Sequence, residues 1–125
     1  MSDNKLKASD RRIEHVLDMT LDLICGKWKA AIIYQLLTGA VRFSELKRRL
    51  SKVTQRMLTR QLRDLEAAGL VIRTVYPEAP PRVEYSLTVL GRSLEPVIRV
   101  IHNWGDAHLL REENGRIDES RRTTN

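Results

Sequence analysis

The sequence predicts a mainly α-helical fold that carries one small β-hairpin, an α+β class. Apolar residues recur at helical spacing through most of the chain, and Gly26, Gly39 and Gly69 interrupt them where helices are expected to end. Residues 70–76 and 82–87 have the composition of strands, and the loop between them contains three prolines. Because proline cannot donate to a strand ladder, these two runs are expected to pair as a hairpin with a stiff loop.

Five helical segments are expected around that hairpin, most of them behind a residue that can cap the first turn. In chain order they are residues 9–23 behind Ser9 or Asp10, residues 28–37, a short helix behind Ser44, a helix from Thr54 to residue 68, and a stretch from Thr88 to about residue 110 that bends near Gly91 and Pro96. The second is apolar on most of its circumference and therefore belongs in the core. A short strand at residues 41–43 and a turn at residues 51–53 flank the third helix.

A chain of 125 residues is long enough for one folded domain, which we place at residues 9–111. Within it, residues 9–24 and 88–110 are terminal helices that lie outside the central unit. Residues 1–8 and 112–125 are polar and aperiodic, and they are expected to be disordered tails.

The order of these elements is that of a winged helix-turn-helix: two helices, a short strand, two helices joined by a tight turn, and a two-stranded hairpin. The fourth helix has two distinct faces. Leu58, Leu62 and Leu65 share one face and are expected to pack inward, while polar and cationic residues occupy another. A helix needs this division to enter the major groove of DNA, because one face must pack against the rest of the domain while the other reaches bases and phosphates.

Positive charge is concentrated on the same part of the chain. Residues 44–63 contain seven Lys and Arg residues against the single acid Glu45, although the whole chain has a net charge of only +6. The expected major-groove contacts are Gln55, Arg56, Thr59, Arg60 and Arg63, of which the first two are placed best for base edges. The expected contacts to the DNA backbone are Ser44, Lys47 and Lys52 together with Arg73 and Arg82 of the hairpin.

Two alternatives stand beside double-stranded DNA as the partner. A basic amphipathic helix can be a plain solvated face, and a winged helix can serve as a protein-interaction module with only non-specific DNA affinity. The capped preceding helix, the tight turn and the proline-rich hairpin favour DNA. Double-stranded RNA suits a protruding helix less well, because the A-form major groove is too narrow.

The composition argues against several other functions. Cys25 is the only cysteine, which excludes an intrachain disulfide and a cysteine-based zinc cluster. No run approaches the roughly 18 apolar residues of a membrane span and the N-terminus lacks a signal-peptide core, so we expect a cytoplasmic, nucleoid-associated protein with no membrane partner. His15, His102 and His108 lack the spacing of shared ligands, and no catalytic or phosphate-binding motif occurs. Hence no metal, cofactor or enzymatic activity is expected.

The ordered motifs over residues 13–105 resemble the HxlR family of bacterial winged helix-turn-helix transcription regulators. The resemblance is carried by residues 26–28, 41–46, 57–59, 61–66, 69–71, 80–85, 87–88 with Gly91, and 104–105. It implies a homodimer, joined through the terminal helices, that binds a two-fold symmetric operator and represses or activates nearby genes.

The residue pattern favours a homodimer independently of that resemblance. The expected interface residues are Ile13, Val16 and Leu17 of the first helix and Leu94, Val97, Ile98, Ile101 and Trp104 of the last. This apolar surface is larger than a small domain needs to bury, and the alternative is that it folds back onto its own core. A symmetric dimer would present its two fourth helices to successive major grooves.

Two features bear on a regulatory signal. Family members that sense oxidants carry a cysteine near the start of the first helix, whereas residues 11–14 here contain none. Cys25 would be a redox thiol if exposed and a small core residue if buried. Trp28, Tyr34 and Trp104 either line an effector pocket between dimer helices or belong to the core, and the effector itself is unknown.

Overall fold

The computed structural model describes residues 2–110, with side chains from residue 10 onward. In chain order the elements are α1 (Ser2–Ile24), α2 (Lys29–Leu36), β1 (Val41–Arg42), α3 (Phe43–Arg49), α4 (Gln55–Ala67), β2 (Val71–Tyr76), β3 (Arg82–Leu87), α5 (Val89–Arg92) and α6 (Glu95–Gly105). A π-helical turn, Asp106–Leu110, continues α6. The predicted α+β class and winged helix-turn-helix order are confirmed. The predicted tail at residues 112–125 lies outside the described residues.

Two helices begin at residues other than those predicted. Helix α1 starts at Ser2 rather than Ser9, so residues 2–8, expected to be a tail, are part of a helix that no Gly or Pro interrupts. Helix α3 starts at Phe43, and the predicted cap at Ser44 is wrong. Strand β1 leads directly into α3, so the extended Arg42 already occupies the cap position and Ser44 lies inside the first turn.

The other two predicted caps are confirmed. The Thr54 hydroxyl oxygen accepts a hydrogen bond from the Met57 amide at 3.1 Å, and the Thr88 hydroxyl oxygen accepts one from the Gly91 amide at 2.9 Å. The last helical stretch, expected to bend, is divided into α5 and α6 at residues 93–94, between Gly91 and Pro96.

The sheet has three antiparallel strands in the order β1-β3-β2. Strand β3 is central: Val41 of β1 pairs with Tyr85, and the ladder with β2 runs from Val71 opposite Leu87 to Tyr76 opposite Arg82. The hairpin is therefore joined to the helical body by a third strand rather than projecting alone, which fixes its direction relative to α3 and α4.

The core lies between α2, α3, α4 and the inner face of the sheet. Its fully buried side chains include Ile32, Ile33, Leu36, Leu46, Leu58, Leu62, Leu65 and Leu70. Helix α2 contributes three of these residues, as expected for the helix that is apolar on most of its surface. Because α4 is fixed to α2 through its leucines, its opposite face is free to contact a partner.

The two terminal helices leave much apolar surface outside the core. Ile13, Val16 and Leu17 of α1 are exposed, and so are Val97, Ile101 and Trp104 of α6, the last to 58%. The predicted interface is wrong at Ile98, which is only 3% exposed. Leu94, which directly precedes α6, is half-buried and packs against the core of its own chain. No helix among the described residues is long and apolar enough to cross a membrane.

Candidate nucleic-acid interface

Helix α4 presents a polar stripe to solvent because its leucines are buried on the opposite side. Gln55, Arg56, Arg60 and Arg63 are exposed, and Thr59 is half-buried. The Thr59 hydroxyl donates to the Gln55 carbonyl at 2.8 Å, which leaves its oxygen free as an acceptor on the helix surface. All five residues predicted to enter the major groove therefore share one accessible face.

A cleft of about 780 Å³ separates this face from the wing, which comprises β2, β3 and the loop 77–81. Predicted DNA-contact residues lining the cleft are Ser44, Gln55, Thr59, Arg63, Arg73 and Arg82. Further lining residues that sequence reasoning missed include Arg42, Phe43, Glu66 and Tyr85. Arg42 could have been found from its place beside Ser44, whereas Tyr85 reaches the site only through the register of the sheet.

Arg56 and Arg60 lie outside that cleft. With Gln55, Thr59, Arg63 and Asp64 they border a shallower depression of about 630 Å³. Gln55, Thr59 and Arg63 line both concavities, so the polar stripe is one continuous surface along α4. Lys47, half-buried on α3, and Lys52, exposed in the turn before α4, line neither depression.

The cations are not equally available to a ligand. The Nε atoms of Arg48 and Arg49 donate to the Glu45 carboxylate at 2.9 and 3.1 Å. These hydrogen bonds, from Arg48 first, hold the pKa of Glu45 at about 2, well below its ordinary value. Glu45 thus offsets part of the positive charge of α3.

On the polar stripe of α4, the positive charge of the arginines is not offset by a paired carboxylate among the described residues. Among residues 10–110, none forms an ion pair with Arg56, Arg60 or Arg63, and the same holds for Arg73 of the wing. The uncompensated positive charge therefore lies on α4 and on the cleft side of the wing, where a polyanion would meet it.

Arg82 differs from these arginines. Its guanidinium nitrogens lie 3.3 Å from a Glu78 oxygen and 3.2 Å from a Glu84 oxygen, and its carbon lies 4.0 Å from the centre of the Tyr76 ring. The Arg82 guanidinium, which the sequence suggested as a contact to the DNA backbone, is thus already paired within the wing.

The structure shows where the other residues singled out from the sequence lie. Cys25 is exposed, so it is not a core thiol. Trp28 and Tyr34 pack against the core, with Tyr34 stacked on His102 at 4.8 Å, whereas Trp104 faces solvent. These aromatic residues do not line a shared pocket within one chain. The described residues contain no group of His, Cys, Asp and Glu side chains arranged to hold a metal ion.

Comparison with known proteins places this architecture among regulators. The profile of the HxlR-like helix-turn-helix family matches residues 23–113. The chain is 51% identical over 92 residues to YdeP of Bacillus subtilis, an uncharacterized HTH-type transcriptional regulator, covering 74% of this chain and 72% of that one. It is similar to the redox regulator HypR in its oxidized form, with a TM-score of 0.71, 50% identity, and coverage of 74% and 95%. A MarR-family regulator from Porphyromonas gingivalis W83 gives a TM-score of 0.72 at 39% identity, with coverage of 74% and 91%.

Proposed function

Because the chain belongs to the HxlR-like helix-turn-helix family, we propose that it is a transcription regulator that binds a two-fold symmetric operator in double-stranded DNA as a homodimer, without catalysing a reaction. The observation that carries this proposal is the polar face of α4, where Arg56, Arg60 and Arg63 are exposed without ion-pair partners among the described residues. The HTH-type regulators to which the chain is similar support it. Its place of action would be the cytoplasm, where the operator is.

We assign α4 to the major groove. Gln55 and Arg56 stand at its N-terminal end, where recognition helices contact base edges, and Thr59, Arg60 and Arg63 follow along the same face. Ser44 and Arg73, which both line the cleft, are placed to bind phosphates beside the groove. Lys52 and Lys47 lie outside the cleft, so their proposed contact is with the flanking backbone.

The homodimer is proposed from the apolar surface of the terminal helices. Its residues are Ile13, Val16 and Leu17 of α1 and Val97, Ile101 and Trp104 of α6. Apolar area on this scale is typical of a surface that another protein covers, and the same area on a second copy would match it. Leu94 and Ile98 are left out because they already pack on their own chain.

The test is fluorescence-anisotropy binding to the DNA upstream of the protein's own coding sequence and to a scrambled duplex, each across a salt series. We expect selective binding of one dimer per symmetric site, with an affinity that falls steeply as salt rises. Equal and weak affinity for both duplexes would contradict operator recognition and would favour a protein-interaction module that uses the same basic face.

A further inference from the structure

Arg82 joins three parts of the wing. It is the first residue of β3 and stands opposite Tyr76, the last residue of β2, so it closes the ladder where the loop 77–81 begins. Its guanidinium bridges Glu78 of the loop and Glu84 of its own strand while it lies over the Tyr76 ring. The side chain is only 26% exposed, and its Nε atom is buried without a hydrogen-bond partner among the described residues.

Arg73, on the same hairpin, differs from Arg82 in the face of the strands that it occupies and in its lack of an ion pair. Arg82 contacts both Glu84 and Tyr76, so these three side chains share one face of the two strands. Since side chains alternate along a strand, Tyr85 faces the other way, and Arg73 is paired with Tyr85. Arg73 therefore lies on the other face of the hairpin. Both arginines border the cleft, but Arg73 is exposed there and forms no ion pair with a described residue.

The charge around Arg82 also argues against a phosphate contact. One guanidinium faces two carboxylates, so the group has one negative charge in excess and gives a phosphate no net attraction. Moving Arg82 to a phosphate would leave Glu78 and Glu84 without a cation beside the DNA backbone. A guanidinium that bridges two carboxylates and stacks on a ring is well suited to hold a loop.

We propose that Arg82 is a positioning residue of the wing. It ties the loop 77–81 to both strands through Glu78, Glu84 and Tyr76, and so sets the width of the cleft between wing and α4, while Arg73 supplies the wing's contact to phosphate. The DNA part of this inference rests on the proposed function; the ordering of the loop does not.

The DNA test compares Arg82→Gln, Arg82→Lys and the matched variant Arg73→Gln by anisotropy on the upstream duplex across a salt series. Arg82→Gln is expected to weaken binding roughly three- to tenfold with the slope of log affinity against log salt nearly unchanged. Arg73→Gln is expected to reduce that slope by about 0.9, because one phosphate contact is lost. Arg82→Lys should behave like Arg82→Gln, because an ammonium keeps the charge but cannot bridge two carboxylates and stack on a ring.

Three results would overturn the proposal: a slope reduced by Arg82→Gln as much as by Arg73→Gln, restoration of affinity by Arg82→Lys, or no effect of Arg82→Gln on binding.

A second measurement needs no DNA and separates this proposal from the proposed function. In Arg82→Gln, amide hydrogen exchange of the free protein should be faster at Tyr76 and Glu84 than in the wild type. The same increase is expected in Glu78→Gln, which removes the carboxylate that Arg82 pairs with in the loop. Exchange should be unchanged in Arg73→Gln. If the wild type fails to select the upstream duplex while these changes appear, only operator recognition fails; unchanged exchange in both bridge variants refutes the positioning role of Arg82.

Discussion

At the residue scale, the junction between hairpin and α5 is set by a carbonyl and a glycine. The Thr88 amide donates to the Leu70 carbonyl at 3.0 Å, and the Thr88 hydroxyl donates to the Gly69 carbonyl at 2.6 Å. A Cβ added to Gly91 would lie 2.1 Å from the Leu70 oxygen. That oxygen is backbone and is held in a hydrogen bond, so it cannot move aside cheaply.

We therefore expect Gly91→Ala to lower the free energy of unfolding by about 1–3 kcal/mol or more, through overpacking. Urea unfolding at fixed protein concentration measures it, since oligomerisation makes stability depend on concentration. Gly105→Ala is the matched control: nothing lies within 4 Å of its added Cβ, and alanine favours the helix. Equal stability of Gly91→Ala and wild type would show that the helix can shift away from Leu70.

Arg60 is the residue that best tests the DNA face. It is exposed on α4 without an ion pair among the described residues, so Arg60→Ala removes a proposed DNA contact without breaking an ion pair within the protein. We expect operator binding to weaken by about 1–3 kcal/mol. Arg99→Ala, an exposed arginine on α6 paired with Glu95, serves as the control and should leave affinity unchanged. A loss below a few tenths of a kcal/mol in Arg60→Ala would mean that another face meets DNA.

The lowered pKa of Glu45 predicts how the effect of Glu45→Gln on stability depends on pH. The pKa of Glu45 in the folded protein is about 2 against an ordinary 4.5, owing to Arg48 and then Arg49. A lowered folded pKa contributes stability that is present above the unfolded pKa and is lost as pH falls through the folded one. The destabilisation caused by Glu45→Gln should thus be constant above about pH 5.5 and disappear towards pH 2, and it should be small because the pair is exposed to solvent.

Urea unfolding of both proteins across this range measures the effect, with Glu66→Gln as control because its carboxylate makes no ion pair to a described residue. A difference between Glu45→Gln and wild type that does not change with pH would refute the assignment.

At the element scale, the parts predicted correctly are those that local signals specify. Helix α4 follows from the Thr54 cap and the spacing of its leucines, and the hairpin follows from two strand-like runs around prolines. Both signals act within a few residues of the element they define. The accessible polar stripe of α4 was predicted for the same reason, since residues on one helical stripe can be counted from the sequence; its contact with DNA stays a prediction.

The parts predicted incorrectly depend on contacts between elements. Ser44 has the chemistry of a cap, but strand β1 pairs with β3 and makes Arg42 extended, which moves the helix start. Ile98 belongs to an apolar stripe that the sequence assigns to a partner, whereas α6 turns that stripe towards its own core. The bridge of Arg82 to Glu78 and Glu84 requires the strand register, which no local pattern supplies.

At the scale of the whole molecule, the terminal helices and the central unit have opposite surface chemistry. The central unit presents the polar, basic face of α4 and the cleft beside it, while α1 and α6 present large apolar side chains. Exposed apolar area of this kind is typical of a surface that another protein covers. The proposed association and the proposed DNA contact therefore lie in separate regions of the molecule, and we expect that they can be changed separately.

Ile101→Glu tests this separation. Ile101 is 49% exposed, so the charge should be tolerated within one chain but not between two apolar faces. We expect sedimentation velocity to shift from dimer to monomer with unchanged circular dichroism, and operator affinity to fall with the loss of the second α4. Val89→Glu is the control, since Val89 is 92% exposed on α5 outside the proposed interface. A variant Ile101→Glu that stays dimeric would place the interface elsewhere.

The exposed stripe on α1 and α6 also bears on how much protein a cell must make. If two chains must meet before two α4 helices can reach adjacent grooves, then operator occupancy at low abundance rises with the square of the chain concentration rather than in proportion to it. A modest change in synthesis or degradation would then switch the operator between mostly empty and mostly filled. In the proposed dimer, the apolar side chains that remain outside each core would thus give the gene a threshold in copy number.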